Sequence, residues 1–171
     1  MKQFKKTLIV LTIMLITSIS VSDAYTLQKF GWKTTYVPIR NAAGPAYEQT
    51  IIDSINAWNR AIPEVYFYLD KNAPNAIYSG NYKESWVGYY QYYTRNGKTY
   101  KFNIYLNNRL LSKRSSNYKQ SVLVHELGHA LCLSDNPAER NSIMRYDRNR
   151  NTLITPQKDD INGVKNFYKI K

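Results

Sequence analysis

The chain contains two histidines, and both fall within five residues, His125-Glu126-Leu127-Gly128-His129. Residues four apart share one face of a helix, so the two imidazoles can point at a single ion. Glu126 projects beside them, able to take a proton from water without itself being a ligand. The surrounding residues agree with a helix. Val122, Val124, Leu127, Ala130 and Leu131 supply its apolar positions, and the spacing predicts it over Asn117 to Leu133. A five-residue pattern alone is a weak signal. It gains force because no histidine lies elsewhere and because the pattern sits in a predicted helix.

The donor set also bears on the kind of site. A structural zinc site is closed by four protein ligands and is usually rich in Cys. Two His, one Cys and a few carboxylates fit three ligands and an open position for water. The third ligand has two candidates. Asp135 lies six residues after His129, where a chain that leaves the helix and turns back can return to the ion. Cys132 would share the face of His125 and His129 if the helix ran on unbroken. It also reads as a small buried residue. Glu139, the only Glu after Glu126, is too close to His129 and in a poor context, which favours Asp135.

The N-terminus has its own pattern. Lys2, Lys5 and Lys6 precede an apolar run from Thr7 to Ile19, and Ser20-Val21-Ser22-Asp23-Ala24 offers small residues before a cut after Ala24. That run falls short of the roughly 20 residues of a membrane span. We therefore expect a signal peptide over residues 1–24, export without stable membrane insertion, and a single domain over 25–171. The 171-residue chain carries a net charge of +12. Such a balance draws a protein to anionic surfaces such as cell-wall polymers. The basic residues are scattered, however, and no nucleic-acid-binding motif is present. One Cys excludes an intramolecular disulfide framework.

Trp32 to Ile39 reads as a first strand, and Pro45 to Ile62 as a helix with Ala46, Ile51, Ile55, Trp58 and Ile62 on one side. Val65 to Leu69 and Ala76 to Ser79 read as short strands. Trp86 to Leu106 reads as a hairpin turning at Asn96-Gly97. Eight of the sixteen Tyr fall between Tyr78 and Tyr105, either as an aromatic rim or, for most of them, as residues of a two-faced sheet. Thr155-Pro156 is expected to cap and open a final helix bearing Ile161, Val164 and Phe167. This order gives an α/β or α+β domain with helices packed on a small sheet.

With Asp135, the histidine motif follows the spacing of the extended zinc motif of metzincin metallopeptidases, HExxHxxGxxH/D. "NSIMRY" (Asn141 to Tyr146) resembles their Met-turn, and "LITPQKDDINGVKNFY" (Leu153 to Tyr168) is similar to the last helix of the matrixin branch. "WKTTYVPI", "AWNRAIPEVYF" and "FNIYLN" resemble matrixin strands and the first helix. The resemblance implies a twisted mixed sheet of about five strands with one antiparallel edge strand, expected over Trp86 to Tyr93, above a peptide-binding cleft. It implies one catalytic zinc on His125, His129 and Asp135, and Met144 as a hydrophobic floor beneath it. Tyr146 matches the tyrosine that astacin- and serralysin-like members place near the metal. Asp as third ligand follows the snapalysin-like members. Cys132 stands where the motif has Gly. Calcium sites are not expected, because Lys71 to Lys119 holds a single carboxylate, Glu84.

The expectation is thus a secreted, monomeric zinc endopeptidase acting on proteins or peptides, with Glu126 as general base and Tyr146 supporting the oxyanion. The rival is a non-catalytic, basic, Tyr-rich module holding wall polymers or another protein. A third reading is a zinc hydrolase of non-protein amides such as peptidoglycan stem peptides.

Overall fold

The computed structural model describes residues 25–171, and the expected leader over residues 1–24 lies outside them. The elements run β1 (Tyr36–Ala42), α1 (Glu48–Ala61), β2 (Tyr66–Leu69), β3 (Ala76–Gly80), β4 (Gly88–Arg95), β5 (Lys98–Asn107), α2 (Asn108–Leu111), α3 (Ser116–Ala130) and α4 (Lys158–Tyr168). The strands form one sheet in the order β2-β1-β3-β5-β4. Every neighbouring pair is parallel except β4 with β5. That antiparallel pair is the predicted hairpin. Asn96 and Gly97 adopt φ of 51° and 71°, the left-handed geometry that a two-residue hairpin turn requires. β4 is therefore an edge strand, and among the described residues its outer side has no neighbouring strand.

Period-two alternation separates the faces of the sheet. Phe102, Ile104 and Leu106 of β5 are fully buried, as are Val37 and Ile39 of β1 and Ile77 of β3. They join α1 and α3 in one apolar cluster. The opposite face carries tyrosines: Tyr78 and Tyr89 each stack on Tyr105. Most of the tyrosines therefore serve a two-faced sheet. α1 is fixed to α3 by Trp58, whose indole Nε1 donates to the Val124 carbonyl at 2.9 Å.

The structure shifts several boundaries. The first strand begins at Tyr36, while Trp32 makes only an isolated bridge to Thr99. Pro45–Tyr47 is a 3-10 turn before α1, and Tyr47 rather than Ala46 faces the core. Pro156 does not open the last helix. Gln157 caps it, because its backbone N–H reaches the Asp160 carboxylate at 2.8 Å and completes a capping box. α3 ends at Ala130, three residues before the predicted end. The premise that would have put Cys132 on the histidine face is therefore absent.

Candidate active site

Ser115 starts α3 by accepting from the Tyr118 N–H at 3.1 Å. The helix then carries Tyr118, Val122 and Glu126 at intervals of four along one side of a cleft of about 500 Å³. The far rim is the segment from Ser85 through β4. Asn107, buried at the end of β5, holds this rim by donating to the carbonyls of Glu84 and Trp86, each at 3.1 Å. Gly88 is required where β4 passes the helix. A Cβ there would stand 2.6 Å from the Glu126 carboxylate and 2.7 Å from Val122.

The two histidines are oriented through Nδ1. His125 Nδ1 lies 2.9 Å from the Ile143 carbonyl, and His129 Nδ1 lies 2.8 Å from the Leu133 carbonyl. A carbonyl can only accept, so Nδ1 carries the proton and Nε2 presents a lone pair. Both Nε2 atoms face Asp135 Oδ1, at 3.2 and 3.8 Å. Ligands at zinc distances in a tetrahedron stand about 3.3 Å apart. The spacing thus fits three ligands of one ion better than a pair of ordinary ion pairs. Among the described residues, His125, His129 and Asp135 form the one group of ligand-type atoms converging in this way. Burial, reinforced by His125, pulls His129 down to about 4, which keeps it neutral and ready to ligate. The His125 imidazole beside it holds the Asp135 carboxyl below its ordinary range.

Asp135 reaches this point because the chain reverses at Cys132. Its φ is 79°, a left-handed conformation that usually falls to Gly. The Leu133 N–H bonds the Gly128 carbonyl and the Cys132 N–H that of His129, both at 3.0 Å. This is the Schellman termination, with Cys132 in its glycine position. Departure from the Gly of the motif has therefore left the turn in place. The cost of a side chain here is about 1 kcal/mol or more, and the N-terminal segment offsets it. Ser134 N–H donates to Thr26, Gln28 N–H to Cys132 and Trp32 N–H to Ala130. The Cys132 side chain is fully buried, burial pushes its thiol well up, and it takes no part in the ligand group. The buried-residue reading holds, and a disulfide between chains has no surface from which to form.

Met144 is buried beneath the helix at Gly128. A Cβ on Gly128 would collide with the Met144 sulfur and press on Trp58, so the bare Gly128 backbone admits both neighbours. The turn is clamped to α4 by Asp160, which accepts from Ser142 Oγ at 2.6 Å and from the Ile143 and Gln157 N–H groups at 2.8 Å. Glu126 is 6 % exposed at the cleft wall. Burial raises its pKa, against the opposing pull of His125. Tyr146 lines the cleft and is 72 % exposed. The predicted site residues thus share one cleft or lie directly beneath it.

Three site residues had no signal in the sequence. Gln28, 101 positions upstream, brings its side-chain amide to 3.0 Å from His129 Nδ1, and a protonated Nδ1 calls for the amide oxygen, otherwise unpartnered, on that side. Arg148 is buried beside His125, and donates to Ser121 Oγ at 3.1 Å and to the Ser121 and Arg145 carbonyls at 2.7 and 2.8 Å. Burial lowers its pKa to about 10, which leaves it charged at neutral pH. Arg150 lies between the Tyr118 and Tyr146 rings, 5.6 and 5.5 Å from their centroids.

Residues 81–169 match the family model of the matrixins. No curated protein sequence matches the chain. Among solved structures, a chain of the GM1-bound form of the ECX AB5 holotoxin is similar, with a TM-score of 0.54 and 13 % identity over 78 % of this chain and 80 % of that one. High choriolytic enzyme 1, a hatching enzyme zinc-protease from the medaka Oryzias latipes, is similar with a TM-score of 0.52 and 15 % identity, over 82 % of this chain and 95 % of that one. At these identities the likeness is one of fold, the metzincin-like α+β arrangement.

Proposed function

Since the chain belongs to the matrixin family, we propose that it is a secreted zinc endopeptidase cleaving proteins or peptides outside the cell, with residues 25–171 as its single catalytic domain. The observation that carries this reading is the convergence of His125 Nε2, His129 Nε2 and Asp135 Oδ1 beside the buried carboxylate of Glu126. Those three residues would hold the ion. When bound, zinc supplies Lewis-acid polarisation of a carbonyl and acidifies a water ligand. The chain's own residues do the rest. The open edge of β4 accepts an extended peptide as an added strand. Glu126, its proton affinity raised by burial, takes the proton of the attacking water and passes it to the leaving amine. Tyr146 offers its hydroxyl to the oxyanion as charge develops.

The rival reading, a basic binding module, gives no use to a buried carboxylate at the wall of such a cleft. The charge, +12 for the whole chain and +10 once Lys2, Lys5, Lys6 and Asp23 leave with the leader, suits instead an attraction to anionic cell-surface polymers that would hold the enzyme near its substrates. The test is to load the purified protein with zinc and measure cleavage of an unfolded protein and of a peptide library that includes peptidoglycan stem peptides. Glu126→Ala is expected to keep one zinc and lose about 100-fold or more of the rate. A zinc-loaded wild type that cleaves nothing in the library sinks the proposal.

A further inference from the structure

Arg150 lines the cleft at the end marked by Tyr118, toward the start of α3. Its Nη2 donates to the Tyr146 carbonyl at 2.8 Å, and the rings of Tyr118 and Tyr146 hold its guanidinium in place. Its Nε is buried and has no hydrogen-bond partner among the described residues. No carboxylate among the described residues lies within ion-pair distance of it. Arg148 also lines the cleft and adds a second, mostly buried positive charge. The only carboxylates lining the cleft are Glu126 and Asp135, and both already have a task at the reaction centre. A buried donor without an acceptor is costly, and a charged one more so. The side of His129 differs: Gln28, Tyr90 and Tyr92 line it, without a basic residue.

We propose that this end of the cleft is a specificity pocket for a carboxylate of the substrate next to the scissile bond, with Arg150 making the contact and Arg148 adding to the field. The carboxylate has two sources, the side chain of an acidic residue or the C-terminus of a short peptide. The guanidinium suits either, because its planar fork matches a carboxylate and charge-assisted hydrogen bonds are the strong ones. This inference rests on the hydrolytic reading above and assigns its substrate class.

The test uses peptides identical except for Glu, Gln or Leu at each position flanking the cleaved bond, each with a free or an amidated C-terminus. An acidic side chain as the ligand predicts that Glu peptides exceed their Gln counterparts about tenfold in kcat/KM, whatever the C-terminus. A C-terminal carboxylate as the ligand predicts the same gain only for free termini beside the bond. Arg150→Gln is expected to bring either ratio to near unity, and Arg150→Glu to push it below unity. Equal cleavage of Glu, Gln and Leu peptides with either terminus overturns the proposal, as does a preference that survives Arg150→Gln. Calorimetric binding of the same peptides to zinc-loaded Glu126→Ala separates the two claims. Selective, Arg150-dependent binding without cleavage by the wild type rejects hydrolysis and keeps the carboxylate pocket. Cleavage without selective binding does the reverse.

Discussion

Gly31 and Cys132 occupy one another's space: a Cβ on Gly31 would stand 2.5 Å from the Cβ of Cys132 and 3.1 Å from its Cα. The side chain that the reversal carries in place of Gly is thus accommodated by a glycine 101 residues upstream. Gly31→Ala is expected to destabilise the protein by about 2 kcal/mol or more, because the new atom meets backbone-anchored atoms and cannot be relieved by a rotamer change. Cys132→Gly removes the left-handed penalty of about 1 kcal/mol and loses a buried side chain of similar worth, so it should be nearly neutral. The double variant should recover at least half of the loss. Urea unfolding of the four proteins gives the coupling, and a coupling near zero would show that the two sites do not share this space.

The same turn fixes which residue completes the metal site. Asp135→Ala should weaken zinc binding at least tenfold in a chelator competition, because it removes one of three converging ligand atoms. Cys132→Ser should leave zinc affinity within about twofold, and native protein should resist a thiol reagent until it unfolds. The opposite pattern, with Cys132 needed and Asp135 dispensable, would overturn the ligand assignment.

Asp160 joins the Met-turn to α4 through bonds from Ser142, Ile143 and Gln157. Asp160→Ala strands these donors in the interior, and about 3 kcal/mol of stability should be lost. The Ile143 carbonyl orients His125, so a loosened turn should also lower zinc affinity. Thermal unfolding with and without zinc measures both effects. A variant with unchanged melting temperature would show that the clamp bears no load.

These residues show what was legible in the sequence and what was not. Helix spacing placed His125, Glu126 and His129 together, since the period of a helix is a local property. Asn96-Gly97 marked the hairpin for the same reason. Spacing and the lack of a suitable later Glu favoured Asp135 over Cys132, and the resemblance to a known motif supported that choice. The resemblance alone brought in Met144. All three positions depend on a turn that local periodicity does not describe. Gln28, Arg148 and Arg150 were invisible because their roles arise from tertiary placement. The bridge Leu27–Leu133 carries Gln28 to His129, and the chain after Met144 carries the arginines to the cleft. The end of α3 was misplaced because Leu131, Cys132 and Leu133 are buried as helical core residues would be, although the backbone has already reversed.

The last prediction concerns pH and the metal-stripped protein. In the fold, burial and His125 bring His129 from 6.5 down to about 4. Above pH 6.5 the imidazole is neutral in both folded and unfolded chains, and its contribution to stability is whole. Between 6.5 and 4 the unfolded chain binds a proton that the folded chain refuses, so stability falls as pH falls, by on the order of 3 kcal/mol across the window. Asp135, held below its ordinary range, works in the same direction but mainly at lower pH. Glu126, held up by burial, works against it. The His129 contribution is isolated by difference. Chelator-treated wild type should lose melting temperature steeply from pH 6.5 to 4, and His129→Gln should lose clearly less over the same range. Parallel curves for the two proteins would mean that His129 is protonated as readily in the fold as in the unfolded chain.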